Sequence, residues 1–341
     1  MRINRVLKTF RLLLSTGALA LCSAVAVGAT PQYGPELQGF SFPYPVEKYS
    51  FKSQSEALSM GYIDVKPQGK ANGRTVVMMH GKNFCGVTWQ DSIEVLSHQG
   101  YRVIAPDQIG FCTSTKPTHY QYSFQQLALN THQLLNSLHL DKITLVGHST
   151  GGMLATRYAL MYPQQVEQLV LVNPIGLEDW KAKGVPWRSV DDWYQRELKT
   201  SAESIKKYEQ KTYYAGQWKP EYDRWVNMLA GLNNGPGKKV VAWNSALLYD
   251  MIFTQPVWYE FKDLTMPTTL MIGSADTTAI GSDIAPPEVK AQIGHYNALG
   301  KQVAKMIPHS TLIEFAGMGH APQMEDPVRF NQALVDALSQ H

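Results

Sequence analysis

The chain alternates short apolar runs with amphipathic stretches, and this order limits its possible folds more than any other feature. Each apolar run is continuous, as in strands that are buried on both faces of a parallel sheet. The runs occupy residues 74–80, 101–106, 142–147, 166–173, 268–276 and 310–317. Amphipathic helices are predicted near residues 88–98, 123–138, 151–161, 295–306 and 327–339. The sequence therefore predicts an α/β fold, in which helices cover both faces of the sheet.

Two segments depart from this alternation. Residues 49–65 suit a β-hairpin or two short strands. Residues 177–265 lack apolar strands, contain seven of the eight tryptophans and separate the sixth strand from the seventh. This insertion predicts a helical cap, or lid, over the carboxyl edge of the sheet, where open α/β sheets bind ligands. We expect most of its aromatic side chains to form the cap's own core, and the core domain to span residues 30–176 and 266–341.

The first 29 residues have the features of a secretory signal peptide. Four basic side chains precede an apolar run over residues 12–29, which ends in small residues suited to cleavage after Ala29. We therefore expect residues 1–29 to be removed and the protein to be secreted or periplasmic, with no stable membrane span after cleavage. The alternative is an uncleaved membrane anchor, because the run approaches spanning length.

The charge of the chain does not indicate a polyanionic partner. The net charge is +3, but without the four basic residues of the first segment the chain has 27 basic and 28 acidic side chains. A nucleic-acid partner is therefore not expected. Metal ligands with zinc-like spacing, a dinucleotide fingerprint and a Walker motif are missing from the sequence, so neither a metal nor a cofactor is expected.

Ser149 stands where the strand-like run 142–147 turns into a helix. It is the centre of the pentapeptide Gly-His-Ser-Thr-Gly, residues 147–151. Such a tight turn holds the serine in a strained backbone conformation and requires glycine on both sides, since a Cβ would clash with the neighbouring strand and helix. The strain lifts Oγ clear of the sheet at a helix N-terminus, whose dipole favours developing negative charge. This position predicts a nucleophile.

A serine nucleophile needs a histidine base that is oriented by an acid. In doubly wound hydrolases the acid and then the histidine follow the serine, from loops at the carboxyl ends of later strands. His320 lies in a short glycine-rich loop after an apolar run and is the predicted base. Asp276 ends the run 268–276 and is the predicted acid, with Asp283 as the runner-up. Asp107 precedes the serine and is expected to hold its own loop.

Two backbone N–H groups are expected to stabilise the oxyanion that forms when a carbonyl is attacked. One belongs to Thr150, directly after the serine, and the other lies in residues 80–86, with Lys82 as the strongest candidate. Asn83 and His148 are candidates for substrate contact. A packed, hydrogen-bonded position is the alternative for His148, because it cannot easily turn back toward the serine. The Lys82 side chain is expected to be solvated.

Four motifs in combination resemble the α/β-hydrolase superfamily, and specifically its capped members. These members include carboxylesterases, meta-cleavage-product C–C hydrolases, epoxide hydrolases and haloalkane dehalogenases. The likeness runs from about residue 49 to the end, and its motifs are "HGKNFCG", "APDQIGFCTSTKP", "GHSTGG" and "GMGHAPQMEDP". The resemblance implies the α/β-hydrolase fold, with a mostly parallel eight-stranded sheet and a helical cap between strands 6 and 7.

The strand order of this superfamily would make the strands ending near His80 and Pro106 neighbours. Cys85 and Cys112 follow these strands, so the resemblance places the two cysteines on adjacent loops near the site. We predict that they form a disulfide that braces the oxyanion loop, and free buried thiols are the alternative.

Ser149 argues against the aspartate chemistry of epoxide hydrolases and dehalogenases, and implies an acyl-enzyme. The main hypothesis is a serine hydrolase that cleaves a small or medium carboxylic ester, whose apolar portion lies under the cap. A C–C hydrolase of the meta-cleavage-product type is the runner-up, and a non-catalytic binding protein of the same fold is the hypothesis from another class. Peptidase, thioesterase and acyltransferase activities remain open, because the same three side chains serve them all.

Overall fold

The computed structural model describes residues 30–340, so the predicted signal peptide lies outside the described residues. Within this range one sheet is formed by the strands β1 (Glu47–Ser53), β2 (Glu56–Val65), β3 (Thr75–Met79), β4 (Arg102–Pro106), β5 (Ile143–His148), β6 (Val166–Val172), β7 (Thr268–Gly273) and β8 (Ser310–Phe315). Their order across the sheet is β1-β2-β4-β3-β5-β6-β7-β8. β2 pairs antiparallel with β1 and β4, and all other neighbours pair in parallel. The predicted eight-stranded, mostly parallel sheet is confirmed.

The first two strands form a hairpin, which is the first of the two arrangements expected for residues 49–65. Ser53 pairs with Glu56, so two residues make the turn. Both of them, Gln54 and Ser55, have positive φ, at 50° and 67°. Two positive φ values are what a two-residue hairpin turn needs to match the twist of its strands.

The central strands are buried on both faces, as their continuous apolar runs predict. Every residue of β3, β5 and β7 is buried, and Glu167 is the exposed residue of β6. The edge strand β1 has no buried residue. The hydrophobic core therefore surrounds the middle of the sheet.

Eleven α-helices lie in the described part of the chain. They are α1 (Gln90–His98), α2 (Phe124–Ser137), α3 (Thr150–Met161), α4 (Val190–Glu197), α5 (Ala202–Thr212), α6 (Asp223–Asn234), α7 (Lys238–Thr254), α8 (Pro287–Lys290), α9 (Tyr296–Met306), α10 (Pro322–Glu325) and α11 (Pro327–Ser339). The five predicted helices correspond to α1, α2, α3, α9 and α11. Side-chain caps mark two of their beginnings, since Ser123 accepts a hydrogen bond from the Gln126 N–H at 3.0 Å and Asp326 accepts one from the Arg329 N–H at 3.0 Å.

Helices α4 to α7 lie between β6 and β7 in the chain, and we call them the cap helices. Aromatic stacking joins α4 to α7, because the rings of Trp193 and Tyr249 are parallel within 8° and their centroids are 4.2 Å apart. Between residues 30 and 340, no helix has both the length and the apolar character needed to cross a bilayer.

Candidate active site

Ser149 lies at the turn between β5 and α3. Its backbone has φ 57° and ψ −122°, a conformation that costs a non-glycine residue free energy. The flanking glycines are required by close backbone contacts. A Cβ on Gly147 would lie 2.3 Å from the carbonyl oxygen of Gly151, and a Cβ on Gly151 would lie 2.4 Å from the carbonyl oxygen of Met79. The strained turn that the sequence indicated is therefore present, for the expected steric reason.

The structure brings together the three side chains that were predicted to act with one another. The Ser149 hydroxyl donates to His320 Nε2 at 2.8 Å, and His320 Nδ1 donates to Asp276 Oδ2 at 2.6 Å. Ser149 lies at the end of β5, while Asp276 and His320 lie in the loops after β7 and β8. All three residues are buried, which strengthens the electrostatic part of these hydrogen bonds.

Two further side chains hold the Asp276 carboxylate, and sequence reasoning missed both. Asn173 donates through Nδ2 to Asp276 Oδ2 at 2.9 Å. Thr278 donates to Oδ1 through its backbone N–H at 2.8 Å and through its hydroxyl at 2.7 Å. The carboxylate therefore keeps a fixed orientation toward His320. Asn173 directly follows β6 at the same edge of the sheet, a position that could have identified it.

The alternative aspartates are engaged elsewhere. Asp283 accepts a hydrogen bond from the Arg188 guanidinium at 2.7 Å. Asp107 accepts hydrogen bonds from the Gly86 N–H at 2.7 Å and from the Thr113 N–H at 3.1 Å. Asp107 thus holds its own loop, as expected.

The backbone N–H groups of Lys82 and Thr150 are not engaged by any part of the protein that the structure describes. Neither of them donates a hydrogen bond to another group within residues 30–340. The loop of Lys82 lies against the serine, because a Cβ on Gly81 would lie 2.8 Å from Ser149 Cβ. Thr150 is the first residue of α3, where backbone N–H groups lack helical partners.

His148 is packed beside the serine and is enclosed by other side chains. Its Nε2 donates to the carbonyl oxygen of His320 at 2.7 Å, and its ring stacks on Phe84 with centroids 5.7 Å apart. Burial and the neighbouring His320 ring hold the pKa of His148 well below its usual value. The assignment of His148 as a substrate contact is therefore corrected, and its packed alternative holds, because the enclosed ring has no open face for a ligand.

Cys85 and Cys112 form a disulfide, with their Cα atoms 5.7 Å apart. The bond joins the loop after β3, which contains Lys82, to the loop after β4. The two sulfur atoms lie within 4.8 Å of an Asp107 carboxylate oxygen. Because the sulfurs are bonded to each other, this trio offers no thiolate ligands to a metal ion.

A cavity of about 800 Å³ lies between the cap helices and the loops of the core. Lys82, Asn83 and Thr278 line its core side, next to the hydrogen-bonded chain, and Trp193 and Tyr208 line its cap side. The side chains of Ser149 and His320 do not line it, and the exposed fractions of the two residues are 5% and 0%. The cavity therefore reaches Lys82 and Asn83 in the loop beside the serine, but the serine side chain is not part of its lining.

The cap helices contact the loop that carries His320 through main-chain atoms. The His320 and Ala321 N–H groups donate to the carbonyl oxygens of Thr212 and Tyr213, each at 3.2 Å. The Tyr213 hydroxyl also accepts a hydrogen bond from Asn83 Nδ2 at 2.9 Å. Asn83, predicted to meet the substrate, both lines the cavity and ties the core to the end of α5.

Glu209 in α5 is a fully buried carboxyl group without a hydrogen-bond partner. Neither of its carboxyl oxygens has a partner among the described residues. Burial raises the pKa of Glu209 to about 8, so the group is largely protonated at neutral pH. Glu325, at the end of α10 after the His320 loop, accepts a hydrogen bond from the Gly319 N–H at 2.5 Å. Burial raises the pKa of Glu325 to about 7.

Comparisons with known proteins agree with this architecture. The family model described as the alpha/beta hydrolase fold matches residues 74–224. The 2-hydroxy-6-oxo-2,4-heptadienoate hydrolase of Pseudomonas putida is 30% identical over 193 residues, which are 50% of this chain and 69% of the relative. A solved structure described as a probable hydrolytic enzyme from Pseudomonas aeruginosa PAO1 is 63% identical, has a TM-score of 0.90, and covers 91% of this chain and 99% of its own.

An esterase from Exiguobacterium antarcticum has the same fold, with a TM-score of 0.64 at 21% sequence identity over 83% of this chain and 96% of its own. The sheet order and the strained serine turn agree with these matches. The chain belongs to the alpha/beta hydrolase family and is a hydrolase.

Proposed function

We propose that the protein is a serine hydrolase that cleaves a small or medium carboxylic ester through an acyl-enzyme. The observation that carries this proposal is the chain of hydrogen bonds at 2.8 and 2.6 Å that joins Ser149, His320 and Asp276. A histidine in this position can remove the hydroxyl proton as the oxygen attacks. The strained turn presents that oxygen at the N-terminus of α3.

The proposed reaction has two halves. In the first, Ser149 Oγ attacks the ester carbonyl while His320 Nε2 takes the hydroxyl proton. His320 then gives this proton to the departing alcohol. In the second, His320 removes a proton from water as the water attacks the acyl-enzyme. His320 then gives this proton to Ser149 Oγ as the bond between Oγ and the acyl group breaks, which releases the acid and restores the enzyme. Asp276 orients the imidazole and stabilises its charged form. The unengaged N–H groups of Lys82 and Thr150 would stabilise the oxyanion in both halves.

The size and lining of the cavity support the proposal that the substrate is a small organic molecule. Its volume of about 800 Å³ lies within the usual range of small-molecule sites. Apolar side chains such as Phe111, Ile205 and Leu248 supply surface for an apolar portion. Hydrolysis of a C–C bond is the second candidate, because the Pseudomonas putida relative is a 2-hydroxy-6-oxo-2,4-heptadienoate hydrolase by name.

A fluorophosphonate probe tests the nucleophile directly. We expect the wild-type protein to be labelled covalently, and Ser149→Ala to lose the label while keeping its circular dichroism spectrum. A folded wild-type protein without label would contradict the proposal. Chromogenic esters of increasing acyl length, assayed beside a vinylogous diketone acid, then separate ester hydrolysis from C–C hydrolysis.

We also propose that the protein is exported. The disulfide between Cys85 and Cys112 supports this proposal, because such bonds persist in oxidising compartments. N-terminal sequencing of the protein from a periplasmic or culture fraction should begin at Thr30. A start at residue 1 in a membrane fraction would favour the anchored alternative.

A further inference from the structure

The cavity walls carry an excess of positive charge. Besides Lys116, five cationic side chains line them, namely Lys82, Arg196, Lys199, Lys211 and Lys290, against the two carboxylates of Glu197 and Asp283. By contrast, the chain beyond residue 29 has 27 basic and 28 acidic side chains. The positive charge is therefore a local property of the cavity.

Lys116 also lines the cavity but adds less to its charge, because backbone groups already engage this side chain. Lys116 donates to the carbonyl oxygens of Cys112 and Ser114 at 2.7 and 3.0 Å. Burial lowers the pKa of Lys116 to about 7, so its charge is partial at neutral pH.

Both carboxylates of the wall are already partnered. Asp283 forms an ion pair at 2.7 Å with Arg188, which does not line the cavity. Glu197 lies 3.6 Å from Lys82 Nζ and 4.0 Å from the Arg196 guanidinium. Within the part of the chain that the structure describes, Lys199, Lys211 and Lys290 have no carboxylate oxygen within 4.0 Å. The cationic excess is thus not neutralised by the protein itself.

Two of the cations are fixed on the stacked ring pair of Trp193 and Tyr249. Lys82 Nζ lies 3.6 Å from the centre of the Tyr249 ring and donates to Ser245 Oγ at 2.7 Å. The Arg196 guanidinium lies 5.2 Å from the centre of the Trp193 ring, and its side chain is 42% exposed. Arg196 therefore has a defined position and is still open to a ligand.

This cluster is close to the proposed reaction centre. Lys82 carries one of the two backbone N–H groups that would stabilise the oxyanion, and its neighbour Gly81 touches Ser149. Lys82 therefore links the two places: its side chain belongs to the cluster, and its backbone belongs to the loop that lies against Ser149.

The local charge indicates how many negative charges such a ligand carries. Around the ring pair, the three cationic side chains of Lys82, Arg188 and Arg196 face the two carboxylates of Glu197 and Asp283. The cluster is therefore left with a single positive charge, which one carboxylate would balance. A guanidinium also matches the two oxygens of a carboxylate with two parallel N–H donors.

We propose that the natural substrate is a carboxylic ester that carries a separate carboxylate, which binds Arg196 beside Lys82 while the ester lies at Ser149. This inference rests on the proposed ester hydrolysis and adds the class of substrate. The exposed lysines of the cavity wall attract the anion into the cavity by their summed field.

A matched pair of esters tests the proposal. The anionic member is 4-carboxyphenyl acetate, and the neutral member is 4-acetylphenyl acetate. Each variant is compared with the wild type on the same ester, so the difference between the leaving groups cancels. We expect Arg196→Gln to lower kcat/KM for the anionic ester by about 10- to 100-fold more than for the neutral ester, mainly through KM. Arg196→Lys should recover part of that loss.

Lys70→Gln is the charge-matched control. Lys70 is exposed in the turn before β3, at the opposite edge of the sheet from Ser149. This variant should leave kcat/KM for both esters at the wild-type value.

Added salt should weaken the wild-type preference for the anionic ester, because it screens the field of the lysines. An equal effect of Arg196→Gln on both esters would overturn the proposal.

A binding measurement separates this inference from the proposed function. Benzoate and benzamide have similar shapes, and only benzoate is charged. By calorimetry, the wild type should bind benzoate more tightly than benzamide, and Arg196→Gln should lose that preference. If neither ester is cleaved but this preference is found, ester hydrolysis fails and the carboxylate site stands. If esters are cleaved without any preference for the anion, the carboxylate site fails and ester hydrolysis stands.

Discussion

The sheet and the cap helices are stabilised in different ways. β3, β5 and β7 are buried along their whole length, so their stability comes from non-directional burial of apolar surface. The cap helices also bury apolar side chains, mainly in α6 and α7, and they add specific pairs such as the ring stack of Trp193 on Tyr249 and the ion pair between Lys82 and Glu197. The cap also buries the Glu209 carboxyl group, which has no hydrogen-bond partner within residues 30–340. The cap therefore adds directional contacts, which single substitutions can remove one at a time, to the apolar burial that it shares with the sheet.

The largest expected effect is a loss of kcat when a side chain of the hydrogen-bonded chain in the core is removed. Ser149→Ala and His320→Ala should each reduce kcat on the order of 10⁴- to 10⁶-fold, and the double variant should be little worse, because the two side chains act as one unit. Steady-state kinetics with a chromogenic ester measures all three variants. Independent, additive losses would show that the hydrogen-bonded chain is not the catalytic unit.

The next effect is a loss of stability when the disulfide that joins two core loops is removed. Cys85 and Cys112 are 27 residues apart, and loop closure of that length stabilises the folded state by about 3 to 4 kcal/mol. The double variant Cys85→Ser/Cys112→Ser should lose about that much free energy of unfolding in urea titrations. Reductant should destabilise the wild type and leave the double variant unchanged. Equal midpoints for the oxidised and reduced wild type would refute the brace.

The free energy of unfolding should depend on pH through Glu209, which lies in the cap. Its pKa is about 8 in the folded protein and near 4.5 when exposed, so between these values the folded state holds a proton that the unfolded state releases. The free energy of unfolding should therefore fall by about 2 kcal/mol from pH 6 to pH 8 on account of this group.

Glu209→Gln is neutral at every pH and should remove that slope, as measured by thermal unfolding at a series of pH values. Glu203→Gln lies on the same helix at an exposed position and serves as the control. A Glu209→Gln variant that kept the full slope would show that another group is responsible.

The smallest effect concerns the side-chain contact between cap and core. Tyr213→Phe removes the hydroxyl that accepts from Asn83 and keeps the main-chain contact with Ala321. We expect a loss of about 1 kcal/mol of stability and only a few-fold decrease in kcat/KM. Denaturant titration and ester kinetics measure the two quantities. A loss as large as that of Ser149→Ala would mean that the cap belongs to the catalytic unit.

The fold and its central residues could be predicted because their signals are local. Continuous apolar runs identified the strands, since a strand buried on both faces needs apolar residues at every position. The glycines around Ser149 identified the turn, because backbone atoms occupy the space that a Cβ would need. His320 and Asp276 followed from their places after strands.

The remaining features depend on contacts between distant parts of the chain. Asn173 reaches Asp276 across a separation of 103 residues; its place after β6 indicates the correct edge of the sheet but does not identify Asp276 as its partner. Lys82 was expected to be solvated, yet its Nζ is enclosed by Ser245 and Tyr249 of the cap. His148 was misassigned because its neighbour His320, which fixes its ring, lies 172 residues away.

The contact between α5 and the His320 loop uses carbonyl oxygens of Thr212 and Tyr213, which every amino acid possesses. The geometry of this contact therefore depends on where α5 ends, and it depends little on the side chains of the helix. Mutations can change the ligand-facing surface of this helix while the His320 imidazole keeps its position. The same property indicates how laboratory evolution of new selectivity can proceed here. Cavity-lining side chains of α5 that are not buried, such as Ser204 and Tyr208, are open to randomisation, whereas insertions or deletions near residue 212 would displace the base.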